Sequence, residues 1–239
     1  MIEENSGAPT PRPPNVFRIS TSTALVLLLF TLAFTALMAA TYQFTKDKIE
    51  ANALEAKMEL IGTVLPPSYY DNDLLKDSIE LPPTPALGTE VPSHVYRARK
   101  NGEPAALVLE AVAPDGYSGH IDLLIAVKAD GRLAAVRVTN HHETPGLGDY
   151  IDPKKDKNKA KPWIGQFDNV GFEEVKPEEF HVRKDGGKFD AHAGATISAR
   201  AVTNAVGRAL KFAVDNQERL FEEHHDERRE GRHEERKEH

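Results

Sequence analysis

The sequence predicts an α+β protein in which a single N-terminal transmembrane helix is followed by an antiparallel sheet and a C-terminal helix. Three observations lead to this class: a long uncharged apolar run near the N-terminus, several short apolar segments separated by Asn-Gly and Asp-Gly, and one extended helical pattern after them. Helices and strands that are segregated along the chain in this way are typical of α+β folds.

The composition of the 239-residue chain fits a packed domain with polar appendages. Apolar residues make up 40% of the chain and charged residues 28%, which is ordinary for a globular protein. The formal net charge of -7 argues against bulk binding of nucleic acid. Because the chain has no cysteine, it forms no disulfide and no thiolate-ligated zinc or iron–sulfur site.

The apolar run near the N-terminus predicts a transmembrane helix over residues 20–43. Residues 24–40 read ALVLLLFTLAFTALMAA, and no charged residue occurs between positions 20 and 43. A helix that crosses the hydrocarbon core needs about 20 predominantly apolar residues. A cleaved signal peptide would need a small-x-small site after the run, and LMAATYQF offers only a poor one, which favours a retained anchor. Residues 1–19 contain four prolines and are predicted to be a short tail.

The charges that flank this span leave its orientation open. Arg12 and Arg18 precede the apolar run, and Lys46 and Lys48 follow it. Because the two sides carry nearly equal numbers of cations, the positive-inside rule does not decide between them.

Residues 44–92 are predicted to form a stalk helix and a proline-rich connection. After Thr45 one helical stripe recurs at spacings of four, three and four, and it consists of Leu54, Met58, Ile61 and Leu65. Residues 66–92 are rich in proline and acidic residues, which is typical of an extended, partly ordered connection.

Residues 93–215 are predicted to be the folded domain. Asn101-Gly102 and Asp130-Gly131 each separate two strand-like runs, and this is the strongest short signal for a β-hairpin, so four antiparallel strands are expected. The final helix is expected to begin near Ser198, with an apolar face formed by Ala201, Ala205, Val206, Ala209, Leu210 and Ala213. Residues 216–239 are predicted to be a charged, His-rich tail that is too polar to bury a core.

The sequence offers no metal site and no hydrolase or kinase machinery. His141 and His142 are adjacent, and neighbours in an extended chain point to opposite faces, so the pair is a poor metal site. The spaced motifs of metalloproteases, nucleophile elbows and phosphate-binding loops do not occur. Five lysines between positions 154 and 161 are typical of a solvated loop.

The stretch FDAHAGATISARAVTNAV, residues 189–206, allows two interpretations. A hydroxyl of Thr196 or Ser198 is suited to cap the helix that follows. Alternatively, the free N–H groups and the dipole at a helix N-terminus stabilise a phosphate, and the small residues before the helix let a phosphate ester approach the backbone. A hydroxyl at this point could itself be esterified. The residues alone leave both interpretations open.

This stretch also resembles a flavin attachment motif. DAHAGATIS is similar to Asp-x-x-(Ser/Thr)-Gly-Ala-Thr-x-(Ser/Thr), at which a flavin transferase attaches FMN through its phosphate, with the last hydroxyl as the acceptor. Together with GYSGHI, HHETPGLGDYI, KPWIGQF and RKDGGKFD it resembles the RnfG (or RsxG) subunit of the ion-translocating Rnf or Rsx electron transport complex over roughly residues 20–215. Ala193 stands where that family usually has Ser or Thr, and Ser198 stands where Thr is the commoner acceptor.

The resemblance implies a cofactor and a set of site residues. Residues 93–215 would be an FMN-binding domain that carries one FMN, joined to Ser198 by a phosphoester. Asp190 would be part of the signal that the flavin transferase recognises. The other residues that the resemblance assigns to FMN are Glu143, Thr144, Leu147 and Gly148 against the ring, and Gly194, Ala195 and Thr196 near the attachment point.

The resemblance also implies a role. The chain would be a redox subunit with no stand-alone catalytic activity, in a complex that couples electron transfer between NADH and ferredoxin to movement of sodium ions or protons. Its partners would be the other subunits, the membrane and the flavin transferase, with the C-terminal domain on the periplasmic side of the inner membrane. Two alternatives remain. One is the equivalent flavin-carrying subunit of the sodium-pumping NADH:quinone reductase, which the continuation SARAVTNAV disfavours, and the other is a flavin-free scaffold subunit.

Overall fold

The structure, a computed structural model, describes residues 16–222. The chain up to Ala56 and the chain from Lys57 onward form two compact units. Most of the predicted N-terminal tail and the last 17 residues of the predicted C-terminal tail lie outside the described residues.

The first helix, α1 (Val16–Gly62), contains the predicted membrane span. Its segment Ser20–Lys46 has 27 residues and is long and apolar enough to cross a membrane, and the described part of the chain holds one helix of this kind. At 1.5 Å per residue such a segment is about 40 Å long, more than the roughly 30 Å of a hydrocarbon core. Its large side chains, from Leu25 to Phe44, are exposed, so the segment is not the core helix of a soluble protein.

The second unit is built on a five-stranded antiparallel sheet whose strands follow the order of the chain. The strands are β1 (Ser78–Leu81), β2 (Ser93–Lys100), β3 (Glu103–Gly116), β4 (Gly119–Lys128) and β5 (Leu133–Asn140). The β2–β3 hairpin turns at Asn101 and Gly102, which both adopt positive φ angles, as a two-residue turn of this kind requires. Short 3₁₀ helices span Pro67–Tyr69, Pro85–Leu87, Gly148–Ile151, Trp163–Phe167, Pro177–Glu179 and Arg183–Asp185.

The predicted strands are β2 to β5, and the prediction of four strands missed β1. This strand lies inside the proline-rich segment 66–92, which was expected to be an extended connection. It has only four residues and prolines follow it directly, so no alternating pattern marks it. It forms because it pairs with β2, with Ser78 opposite Tyr96 and Leu81 opposite Ser93.

One face of the sheet is covered by α2 (Thr196–Asp215), which packs against β3 and β4. The predicted apolar face of this helix is confirmed, because each of its six residues is buried. The helix begins at Thr196, two residues before the expected start near Ser198. A short helix, α3 (Gln217–Glu222), follows and buries Leu220 and Phe221.

The other face of the sheet is covered by the end of α1 and the residues after it. Ile61, Val64 and Leu65 are buried there together with Leu74, and Met58 packs against them. The predicted stalk stripe therefore ends in the core of the second unit. Since both faces of the sheet are covered, β3 and β4 have nearly continuous buried runs rather than a strict alternation.

Two arginines of β2 hold α3 against the sheet. Arg97 is fully buried, and its Nε lies 2.7 Å from Asp77 Oδ1 while its Nη1 donates to Leu220 O at 3.3 Å. Arg99 donates to Asp77 Oδ2 at 3.0 Å and to Phe221 O at 2.8 Å. Six residues of the segment predicted as a tail are therefore a helix that belongs to the folded core.

Two truncations distinguish this helix from the residues that follow it. A chain ending after Glu222 should have the same free energy of unfolding as the full chain, because the sequence beyond it is too polar to bury a core. A chain ending after Asn216 should lose about 3–6 kcal/mol of unfolding free energy, since it loses the burial of Leu220 and Phe221. Denaturant titration followed by circular dichroism measures both, and equal stability of the two truncations would contradict the packing described for α3.

Candidate functional site

A pocket of about 250 Å³ lies at the N-terminal end of α2. Three segments meet there: the turn between β3 and β4, the loop 143–148 that follows β5, and the first residues of α2. They meet because β3 ends, β4 begins and β5 ends at the same end of the antiparallel sheet. The residues that line the pocket are Tyr117, Glu143, Thr144, Leu147, Gly148, Gly194, Ala195, Ile197 and Ser198.

Seven of these nine residues were assigned to the cofactor from the sequence, whereas Thr196 and Asp190 do not line the pocket. The assignment did not include Tyr117 and Ile197. Tyr117 belongs to the GYSGHI turn, so the sequence carried a signal for it. No sequence motif pointed to Ile197. Once the start of α2 is known, however, an exposed isoleucine next to Ser198 in the first turn indicates an apolar contact with a ligand.

Ser198 and Glu143 form a buried polar pair at this pocket. The two residues are 1% and 4% exposed. The Ser198 hydroxyl donates a hydrogen bond to Glu143 Oε2, and the backbone N–H of Ser118 donates to Glu143 Oε1 at 3.0 Å. Both carboxylate oxygens are therefore partnered, as burial of a charged group requires.

The hydroxyl of Ser198 is not a helix cap. The N-cap residue of α2 is Ala195, whose side chain cannot accept a hydrogen bond, and Ser198 is the third residue of the helix. Its proton is directed at Glu143 instead. The first turn of α2 thus keeps the free N–H groups and the positive dipole end that favour a phosphate.

Two glycines leave room for this pair. A Cβ atom on Gly148 would lie 2.5 Å from Ser198 Oγ and 2.8 Å from Glu143 Oε2. A Cβ atom on Gly116 would lie 2.8 Å from Glu143 Oε1 and 2.2 Å from the carbonyl oxygen of Gly119. Only glycine therefore fits at either position, and the absence of a side chain at Gly148 lets the Ser198 hydroxyl and the Glu143 carboxylate lie against its backbone.

The loop 143–148 is a tight turn closed by its own backbone. Thr144 O accepts hydrogen bonds from the N–H groups of Leu147 and Gly148, both at 3.1 Å. Gly146 takes a φ of 75°, in the left-handed region that favours glycine. This turn directs Leu147, which is largely exposed, to the rim of the pocket.

Tyr150 fixes the loop that leads into α2. Its hydroxyl donates to Ala195 O at 3.2 Å and accepts from the backbone N–H of His192 at 3.1 Å, while its ring stacks on His192 at 3.8 Å between centroids. Burial raises the pKa of the Tyr150 phenol above its ordinary value, so the hydroxyl keeps the proton that it donates.

Asp190 lies outside the pocket on a fixed backbone. Its carbonyl accepts from Trp163 Nε1 at 2.6 Å, and its N–H donates to Gln166 Oε1 at 2.8 Å. Its carboxylate is exposed and lies 2.5 Å from the guanidinium of Arg183. An exposed side chain on a rigid backbone is suited to recognition by another protein.

The residues of the pocket fit an FMN. The Ser198 hydroxyl and the helix N-terminus suit its phosphate end, and the pocket that Ser198 and Gly148 line admits it. Tyr117, Leu147 and Ile197 are exposed apolar side chains at the rim, and such side chains are typical partners of a flat aromatic ring.

Comparisons with known proteins agree with this assignment. The FMN-binding domain family matches residues 116–211, which include every residue of the pocket, and the RnfG N-terminal region matches residues 17–64. The chain is 43% identical over 197 residues to the G subunit of an ion-translocating oxidoreductase complex from Pseudomonas aeruginosa, and the match covers 82% of this chain and 90% of the relative. Relatives with the same description from Aliivibrio fischeri and Vibrio cholerae are 40% and 37% identical to the chain. Each match covers 82% of this chain and 91% of the relative.

Replacement of Gly148 by alanine tests the pocket. The added methyl group would displace the Ser198 hydroxyl and fill the space beside it, so we expect purified Gly148→Ala to contain little or no flavin. Visible flavin absorbance relative to protein absorbance measures this. The control is Gly165→Ala, in which the new Cβ would lie 3.7 Å from its nearest neighbour, an ordinary contact. This variant should have the flavin content of the wild type. Equal flavin contents in the two variants would contradict the placement of FMN beside Gly148.

Proposed function

Since this chain belongs to the RnfG family of ion-translocating oxidoreductase complex subunits, we propose that it is a membrane-anchored electron carrier with one FMN esterified to Ser198. One observation carries this function: a buried serine hydroxyl faces a pocket at a helix N-terminus and does not cap that helix. A serine with only a structural role here would hydrogen-bond to a backbone group of the helix itself. This one instead makes its hydrogen bond to the Glu143 carboxylate and lines the pocket.

When bound, FMN supplies the redox chemistry of its isoalloxazine ring, and the protein binds and orients it. Ser198 would hold the phosphate, whose charge the first N–H groups of α2 stabilise. Gly194 and Ala195 would let the phosphate end approach the backbone. Thr144 and the apolar rim would contact the ring and exclude water from it.

A covalent bond suits a cofactor that works outside the cytoplasm. FMN is made inside the cell, and a flavin that dissociated on the periplasmic side could not easily be replaced. We therefore place the domain that follows α1 on the periplasmic side of the inner membrane. Asp190, exposed on a fixed backbone, would then be read by the flavin transferase during attachment.

Within the complex the chain would pass electrons along a route between NADH and ferredoxin that is coupled to translocation of sodium ions or protons. It would have no catalytic activity without the other subunits. The alternative role in a sodium-pumping NADH:quinone reductase, as its equivalent flavin-carrying subunit, is disfavoured by the match of residues 17–64 to the RnfG N-terminal region. A flavin-free scaffold would have no need of the FMN pocket.

Substitutions at Ser198 test the ester. Wild-type protein produced together with a flavin transferase should give a fluorescent band on a denaturing gel, because an ester survives unfolding. Ser198→Ala should be dark, since it lacks the oxygen that bonds phosphorus. Compared with flavin-free wild type, it should also lose about 1–3 kcal/mol because a partner of the buried Glu143 carboxylate is removed.

The controls are Ser198→Thr and Thr196→Ala. The first restores a hydroxyl and should stay fluorescent, and the second removes a hydroxyl two residues away that lies outside the pocket lining. A fluorescent Ser198→Ala band would place the flavin on another residue. A dark wild-type band in the presence of the transferase would refute covalent attachment.

Reporter fusions after Glu222 test the orientation. Alkaline phosphatase needs disulfides and is active only outside the reducing cytoplasm, so its fusion should be active. A β-galactosidase fusion at the same residue should be inactive. The reverse pair of results would place the domain in the cytoplasm.

A further inference from the structure

Three groups that meet at Ser198 have the arrangement of an activated nucleophile. A hydroxyl donates to a carboxylate, and the carboxylate is oriented by a third group, the backbone N–H of Ser118. A nucleophile within hydrogen-bond reach of a base that is itself held in place is the usual signature of covalent chemistry at a hydroxyl. The glycines at positions 116 and 148 keep this arrangement free of side chains that would separate its members.

Building on the proposed attachment of FMN to Ser198, we propose that Glu143 is a catalytic residue of that attachment, the general base that removes the Ser198 proton. The acceptor chain would thus activate its own nucleophile, and the flavin transferase would deliver and position the flavin. Glu143 therefore has a role in maturation of the protein, before any electron transfer takes place.

The flavin must bring a leaving group, because a free phosphate does not form an ester with a hydroxyl in water unaided. A flavin dinucleotide supplies one in its pyrophosphate. The bond from Ser198 Oγ to the flavin-bearing phosphorus forms, and the phosphorus–oxygen bond to the other phosphate breaks. The electron pair leaves with the nucleoside monophosphate, and the hydroxyl proton passes to Glu143.

Within the pocket no other side chain is placed to act as this base. Among its nine lining residues Glu143 is the one carboxylate, and none is lysine, arginine or histidine. The hydroxyl has a single proton, which is already directed at Glu143 Oε2. A base from the transferase would first have to break this hydrogen bond.

The charge balance of the product also favours proton transfer to Glu143. Attachment places a negatively charged phosphodiester at Ser198 Oγ, the oxygen whose proton was hydrogen-bonded to the Glu143 carboxylate. An ionised Glu143 would repel it in a buried site. A protonated Glu143 carries no charge and can donate a hydrogen bond to the phosphodiester.

The test is the rate of flavin attachment to the full chain. Flavin-free protein in detergent is mixed with purified flavin transferase, magnesium and flavin adenine dinucleotide, and covalent flavin is followed by gel fluorescence and intact mass. Glu143→Gln keeps the size of the side chain and an acceptor for Ser118 N–H, but it cannot take up the proton. We expect attachment to be about 100-fold slower or worse.

Glu110→Gln is a matched control. Glu110 also accepts a backbone N–H, from His94 at 3.0 Å, and a hydroxyl, from Tyr96 at 2.9 Å. Tyr96, its hydroxyl partner, belongs to the core on the face of the sheet opposite α2. Flavin should be attached to this variant at the wild-type rate. Slow attachment in Glu143→Gln alone would then show that the position of the carboxylate at Ser198 matters, and not merely the loss of a hydrogen-bonded carboxylate.

Chemical rescue separates a base from a structural contact. In Glu143→Ala, formate can enter the vacated space and take the proton, so attachment should accelerate with formate concentration, whereas wild type should not. Each variant is compared with itself, so a stability difference from wild type does not affect the result. Slow attachment that formate does not accelerate would reduce Glu143 to a positioning role and overturn the inference.

The outcomes also distinguish this inference from the proposed function. No covalent flavin on wild type, or flavin on a residue other than Ser198, would refute the proposed function itself. Normal labelling of Ser198 with an equal rate in Glu143→Gln would leave that function standing and refute the role of Glu143.

Discussion

The close packing of α2 on strands β3 and β4 is the constraint on which the rest of the structure depends. Ala201, Ala205, Ala209 and Ala213 recur every four residues and are all buried, so the helix presents a row of methyl groups to the sheet. Small side chains let a helix approach closely, and larger ones would displace it. The same face carries Ser198 one turn before the row begins. The position of the Ser198 hydroxyl therefore depends on apolar packing along the whole helix.

That packing brings the start of α2 to the edge of the sheet where β5 ends, and this produces the polar pair. Glu143 and Ser198 are 55 residues apart and meet at the border of the apolar core. A buried carboxylate is tolerated there because both of its oxygens are hydrogen-bonded. The same burial aligns the hydroxyl with a single partner, so one arrangement satisfies both polar groups.

A second buried charge serves only the fold. Arg97 and Asp77 lie under α3, and together with Arg99 they tie the residue before β1, the strand β2 and the last described helix into one unit. Removing one member would leave a buried charge unpaired, which costs about 3–5 kcal/mol. The contrast with Glu143 lies in the partners: the two arginines donate to backbone carbonyls of α3, whereas the serine–glutamate pair lines the pocket at the start of α2.

The sequence by itself determined the features that depend on local chemistry. The helix that is apolar enough to cross a membrane follows from an uncharged run, the β2–β3 hairpin from an Asn-Gly pair that readily adopts positive φ angles, and the buried face of α2 from its periodicity. Seven pocket residues could be named because the sequence motifs resemble those of a flavin-carrying family. Such a motif identifies residues that act together without showing how they meet. Only the tertiary structure decided β1, the role of α3 and the partner of Ser198. A four-residue strand beside prolines is stable only when β2 pairs with it. A short polar-looking helix is held by the burial of Leu220 and Phe221 and by the two arginines of β2. The direction of a hydroxyl proton is set by a carboxylate that the chain supplies 55 residues earlier.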